Sequence, residues 1–269
     1  MITGSGQQVR DINLLQRRIA KRDFVTLTDM TSAFAVLGIM GPNSRKLMTK
    51  LSPDDFSNEM FPYLSHREIE IGDTVAQASR ISYVGELGWE LYIPSETAVP
   101  LYDRIQEAGT DLGLKNAGSM AMTGLRLEKG YCAWGRDIGP DDTPLEAGMG
   151  FLTKLAGTSN FVGRAALEQQ SELGLGRRRV LLSVKDPEVV IMGLEPILVE
   201  GEILGYTTSA AFGYSLGRSV AMGYIRLEGN SAEELVGSAK FEIEVALDRY
   251  PATASLCPLY DKFNSRLRT

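Results

Sequence analysis

The sequence predicts an α+β fold that gives way, from about residue 177, to a small antiparallel β-barrel or sandwich. Helical spacing of apolar residues alternates with extended segments up to about residue 170. From "RRRVLLSV" onward the texture changes to short strands separated by turn residues. With 269 residues, 43% of them hydrophobic, the chain can bury a real core and has room for one large domain or two ordinary ones. We therefore expect one unit over 1–170 and a second over 177–269.

The opening "ITGSG" reads as a strand end running into a helix over 7–21, with Val9, Ile12, Leu15 and Ile19 at helical spacing. Met1 is thus expected to enter partway through a fold. "FAVLGIMGPNSRKLMTKL" reads as strand, turn and helix, with Pro42 in the first turn, where its missing N–H costs nothing. Two extended segments, 74–83 and 88–93, joined by "VGEL", predict an antiparallel pair. A helix follows over "PSETAVPLYDRIQEAG", capped by Ser95 and stopped at Gly109, and another covers about 117–130. The stretch 134–148, rich in Gly, Pro and Asp, is loop, and "FVGRAALEQQSELGLG" is a short helix with a linker. In the final part, Glu200-Gly201 between apolar runs is a hairpin signal.

Composition excludes several classes of function. A net charge of −6 argues against a broad grip on nucleic acid or anionic membrane. Arg177, Arg178 and Arg179 form the main basic cluster and read as a solvated strand entrance rather than a phosphate site. Cys132 and Cys257 have no partner spacing, which suits a reducing compartment and excludes a thiolate zinc site. His66 is the only histidine, so a catalytic triad or multi-histidine metal centre would rest on that one position. The glycines of "GSGQQV" and "GIMG" complete no phosphate-binding motif. No apolar run approaches the ~20 residues needed to span a bilayer and no signal peptide is recognisable, so the expectation is a protein of the cytoplasm, or of the mitochondrial matrix if eukaryotic.

Chemistry concentrates in "GELGWELY", residues 85–92. A strand alternates its faces, so Trp89, Leu91 and Ile93 share one side while Glu90 and Tyr92 share the other. Tyr83, on the expected partner strand, reaches the same region. A carboxylate beside phenol rings suits a flat, nitrogen-rich heterocycle, whose paired N–H groups the acid accepts and whose faces the rings bound. The alternative is a surface glutamate with half-buried tyrosines, and composition alone favours it.

The runs "ISYVGELGWELYIP", "LRLEKGYCAWGRDIGPDDTPLEAG" and "FVGRAAL", with "YPATASLCPLYD" near the end, closely resemble the folate-binding C-terminal half of dimethylglycine and sarcosine dehydrogenases. That half is itself similar to the aminomethyltransferase of the glycine cleavage system. The resemblance implies folate-binding lobes, incomplete at the N-terminus, followed by a C-terminal antiparallel β-barrel. It implies tetrahydrofolate as cofactor and a small methylamine-derived one-carbon donor as partner. A flavin is expected only on a missing or separate dehydrogenase domain.

Carried over residue by residue, the resemblance gives Glu90 as the carboxylate that holds the pterin ring. It gives Tyr83 as a residue lining the folate site, Leu91 and Tyr92 as its neighbours, and Phe151 as an aromatic near the ligand. The family's catalytic aspartate lies upstream of the segment where this sequence begins. Its role is therefore not moved to Asp11, Asp137, Asp141 or Asp142, and no catalytic residue is assigned. Met122 stands where glycine-cleavage enzymes carry arginine, which favours the dehydrogenase branch. Arg126 and Glu128, two apart on a helix, are read as anchors to neighbouring loops. The same fold also serves a non-catalytic regulatory subunit and a standalone aminomethyltransferase, and both remain alternative readings.

Overall fold

In a computed structural model describing residues 1–269, the first half of the chain is organised around one central strand. Strands β1 (Phe34–Met40), β2 (His66–Ile71), β3 (Thr74–Ser79) and β4 (Gly88–Pro94) form an antiparallel sheet in the order β1-β4-β3-β2. The inward residues of β4, Trp89, Leu91 and Ile93, are fully buried. Trp89 meets Phe56 edge-on at 5.4 Å between ring centroids and Phe61 at 6.1 Å, a geometry aromatic pairs favour.

Two helices cover this inner face. In α2 (Ser44–Leu51), Leu47, Met48 and Leu51 recur at helical spacing and are buried. In α3 (Ala98–Gly109), Leu101 and Ile105 do the same one turn apart. Together with the sheet they build a core of 16 buried residues.

Further along, α4 (Ser119–Glu128) leads through a long loop to α5 (Arg164–Leu173). Six strands then close into an antiparallel barrel: β5 (Arg177–Val184), β6 (Pro196–Val199), β7 (Glu202–Gly213), β8 (Arg218–Arg226), β9 (Phe241–Val245) and β10 (Asp248–Ser255). Their order is β10-β5-β8-β7-β6-β9. Closure leaves no edge strand, and the interior holds a second core of 15 buried residues. Helix α6 (Ala232–Ser238) begins on a capping box in which the Ser231 and Glu234 side chains each take the other's backbone N–H. A small third cluster, Leu127 of α4 with Leu181, Val220 and Met222 of the barrel, joins the two halves.

Several sequence expectations need correction. The first helix, α1, spans only Gln8–Gln16 and buries none of its residues. Ser95 does not cap α3: it lies in a 3-10 turn, and its hydroxyl donates to Ser32 O. Strand β3 stops at Ser79 rather than reaching Tyr83. The next residue, Arg80, 1% exposed, donates to the carbonyls of Phe61, Leu267 and Thr269.

The arginine triplet is not a solvated strand entrance. Arg177 pairs with Asp142 and Glu146, and its guanidinium lies over the Tyr224 ring. Arg178 and Arg179 donate to the carbonyls of Leu145 and Ala147. The triplet therefore fastens the preceding loop to the mouth of the barrel.

The Glu200-Gly201 hairpin joins β6 to β7 with φ of +50° and +86°, the positive pair of a type I′ turn. Ala246 and Leu247 join β9 to β10 with φ of +51° and +73°, the same conformation without a glycine or asparagine. The left-handed region costs an L-residue roughly 1–2 kcal/mol, while glycine loses roughly 0.5–1 kcal/mol of extra chain freedom on folding. Leu247 is 88% exposed and gives up no packing when truncated. Leu247→Gly is therefore expected to raise stability by about 0.5–1 kcal/mol, seen as a higher urea midpoint with an unchanged slope.

Candidate functional site

The outer face of β4 carries Glu90 and Tyr92 side by side. Alternation puts them opposite Trp89, Leu91 and Ile93, and both are half-buried. The Tyr92 hydroxyl donates to Glu90 Oε2 at 2.6 Å, while no group of the chain donates to Oε1. Burial, reinforced by the hydrogen bond to Glu90 and by its charge, pushes the Tyr92 phenol well above its ordinary value. At neutral pH it is therefore a hydrogen-bond donor that orients the carboxylate.

The neighbouring strands leave room above this pair. On β1, Gly38 stands opposite Glu90 and Val36 opposite Tyr92; on β3, Ser79 and Gln77 take the corresponding positions. A Cβ built at Gly38 would meet only the Met40 Cε, at 3.8 Å, so the space beside the carboxylate is open. A flat group could lie across Gly38 with its polar edge toward Oε1. The other polar side chains on this face are engaged: His66 Nδ1 meets Ser79 Oγ at 2.8 Å and its Nε2 meets Gln77 Oε1 at 2.8 Å.

Tyr83 is placed differently from the sequence expectation. It sits in the loop 80–87, not on a paired strand. Within that loop the Ser82 hydroxyl accepts from the N–H groups of Val84 and Glu86. Gly85 turns at φ +77°, where a Cβ would collide with the Lys129 side chain. The Tyr83 ring stacks on Tyr131 at 6.2 Å, and its hydroxyl donates to the Cys132 carbonyl at 2.9 Å. Burial raises the phenol of Tyr83 as well, so it too stays a donor at neutral pH.

Of the five candidate residues, only Glu90 and Tyr92 touch each other through side-chain hydrogen bonding. Tyr83 is tied to the strand through its loop and makes no hydrogen bond to either. Leu91 points into the core and presents nothing but its backbone to the outer face. Phe151 lies on a single 3-10 turn, Gly150–Leu152, and is 80% exposed. Its neighbour Leu152 lines a groove of about 820 Å³ between Trp134 and Phe161, but Phe151 itself does not. No cluster of His, Cys, Asp and Glu could hold a metal ion.

The sequence reading named Arg126 and Glu128 but missed their buried partners and Lys129 beside them. Arg126, at the end of α4, pairs with Asp137 at 2.5 Å, their side chains 3% and 0% exposed. Lys129 is buried against the carbonyl and carboxylate of Asp261. Glu128 Oε1 accepts from the N–H groups of Ser215 and Leu216. Arg126 and Glu128 thus do anchor the helix to neighbouring loops. Their partners could not be read locally, since the distance in sequence runs as far as Ser209 for the arginine and Leu216 for the glutamate.

Residues 1–157 match the family profile described as the GCVT N-terminal domain, and 177–261 match the glycine cleavage T-protein C-terminal barrel domain. The chain belongs to the glycine cleavage T-protein family. It is 37% identical over 260 residues to human mitochondrial dimethylglycine dehydrogenase, covering 96% of this chain and 29% of that protein. To human mitochondrial sarcosine dehydrogenase it is 39% identical over 244 residues, covering 90% of this chain and 26% of that protein. The chain thus spans less than a third of the length of these two relatives.

Among solved structures, glycine cleavage system aminomethyltransferase T from Bartonella henselae superposes with a TM-score of 0.78 at 23% identity, covering 96% of this chain and 68% of that one. The family's mixed helix and sheet, ending in a closed antiparallel barrel, is the architecture seen here. No helix in this T-protein relative is long and apolar enough to cross a membrane.

The loop that carries Tyr83 also offers a pH-dependent test. Burial raises the Glu86 carboxyl above its ordinary 4.5, with Arg266 pulling the other way. In the window between the unfolded and folded values the folded state holds a proton that the unfolded state has released, so stability falls as pH rises through it. Glu86→Gln removes the titration and keeps the shape. The variant is expected to be more stable than the wild type at about pH 7, with the gap closing at about pH 4 as the wild-type carboxyl protonates. Urea midpoints at the two pH values check this.

Proposed function

We propose that this chain is a tetrahydrofolate-binding, one-carbon-transfer module of a dimethylglycine or sarcosine dehydrogenase-type demethylating system. The observation that carries the reading is the Glu90–Tyr92 pair on the open face of β4. One carboxylate oxygen is oriented by the phenol, the other is unclaimed, and Gly38 leaves the adjacent space clear. Two acceptor positions on one planar group suit the adjacent N–H donors at the edge of a pterin. A pterin is flat enough to lie over a glycine.

The remaining candidates take graded parts in this reading. Tyr83 bounds the site from its loop, held at ring and hydroxyl by Tyr131 and Cys132. Leu91 contributes from beneath, by fixing the strand that bears Glu90. Phe151 is free to lay its exposed ring against the outer part of a ligand. Bound tetrahydrofolate supplies the nucleophilic nitrogen that takes up a one-carbon unit from an oxidised methylamine. The chain's share of that chemistry is to hold the heterocycle in one orientation and keep water from the reacting region.

Flavin chemistry belongs, in this reading, to polypeptide outside the matched region of the dehydrogenase relatives. The names of these relatives and of the aligned aminomethyltransferase structure support a one-carbon role, and Met122 favours the dehydrogenase branch.

Calorimetric titration with tetrahydrofolate tests the assignment. The wild type is expected to bind. Glu90→Ala removes a charged acceptor worth about 1.5–3 kcal/mol, so its affinity is expected to drop by at least about tenfold with the circular dichroism unchanged. A wild type that does not bind, or a variant that binds equally well, overturns the reading.

A further inference from the structure

The buried Arg126–Asp137 pair does more than close a polar gap between the two halves of the molecule. Asp137 Oδ2 accepts from Arg126 Nη1 and, at 2.8 Å, from the N–H of Ala133. Its Oδ1 accepts from the Thr208 hydroxyl at 2.6 Å, and its backbone carbonyl accepts from Tyr224 at 3.0 Å. Arg126 also donates to the Tyr131 carbonyl at 2.9 Å and to Ser209 Oγ at 2.8 Å.

Three consecutive residues of the loop are therefore pinned. The carbonyl of Tyr131 is held by Arg126, and the N–H of Ala133 by Asp137. Between them the Cys132 carbonyl is left pointing at the one group that takes it, the Tyr83 hydroxyl. Thr208 and Ser209 on β7 and Tyr224 on β8 fix the pair from the barrel side.

We infer that Arg126 and Asp137 are positioning residues for Tyr83, through which the barrel orients that side chain for the proposed folate site. This rests on the folate-binding reading for its ligand and on the hydrogen-bond chain for its direction. Stability alone does not call for an ion pair here, since buried pairs are often replaced by apolar residues at no net loss. An apolar replacement, however, would remove the side-chain anchors of the Tyr131 carbonyl and the Ala133 N–H, the two groups that flank the Cys132 carbonyl.

The test is a double-mutant cycle. Asp137→Asn and the milder Thr208→Val are each made alone and in a Tyr83→Phe background, and the affinity for tetrahydrofolate is measured for all. The ligand-free proteins are also labelled with tyrosine carrying carbon-13 at Cζ, the Tyr83 resonance being the one lost in Tyr83→Phe. In the single variants that resonance is expected to shift, and affinity to fall by about threefold or more, within the range of measured coupling energies. In the Tyr83→Phe background the loss of affinity is expected to vanish.

An unmoved Tyr83 resonance overturns the inference, as does an affinity loss that persists in full without the Tyr83 hydroxyl. Should Asp137→Asn fail to fold, Thr208→Val decides the question by the same two readouts, because it removes only a hydroxyl, whose nearer acceptor is Asp137 Oδ1 and whose other is the Met222 carbonyl, and no charge. A resonance that shifts in a protein that binds no tetrahydrofolate supports the positioning chain and rejects the ligand. The two claims thus fail separately.

Discussion

β4 lies in two environments at once, and the rest of the first half follows from that. Its odd positions are packed without exposure against Phe56, Phe61 and the two covering helices, so the strand can neither slip nor twist without opening the core. A shift of one residue would bury Glu90 and expose Trp89. The polar pair on the other face therefore inherits its precision from an apolar cluster it never touches. This is the economical way to hold a carboxylate steady: the rigidity comes from burial on one face, and the carboxylate stands half-exposed on the other.

Where the two halves meet, the material is different. Arg80, Arg126 and Lys129 are all buried, and each is matched by carbonyls or carboxylates from elsewhere in the chain. Such groups are expensive to dehydrate, and each pairing is strongly direction-dependent. Apolar cluster packing would tolerate small rotations of the barrel against the sheet unit. A guanidinium committed to several named oxygens does not. The junction is thus built for a fixed angle, with the loops of one half fastened by strands of the other.

What could be read from the sequence is what depends on neighbours a few residues away. Period-two alternation placed Glu90 and Tyr92 opposite Trp89, Leu91 and Ile93, and the Glu200-Gly201 pair announced a hairpin whose backbone needs positive φ at both positions. The ordered motifs around "GELGWELYIP" and "LEAG" carried the family, which the matches over 1–157 and 177–261 bear out. What could not be read depends on distant partners. β3 ends at Ser79, and the Arg80 side chain that follows is claimed by Leu267 and Thr269, partners that no local pattern contains. Arg177, Arg178 and Arg179 looked hydrated because their acceptors, the carbonyls and carboxylates of 142–147, form a surface only after folding. Phe151 is exposed because the turn that carries it packs on little else.

Arg80 also has a consequence in time. Its side chain is buried against carbonyls 187 and 189 residues further along, at Leu267 and Thr269. Until that segment has left the ribosome, the guanidinium has only the Phe61 carbonyl of its three acceptors, and its other amino group stays in water beside the region where Phe61 and Trp89 pack. The first sheet, although synthesised early and built largely from local hairpins, completes its core late. Contacts of this span slow folding and lengthen the interval in which apolar surface is exposed. The feature that locks the finished molecule thus also makes its nascent form dependent on protection.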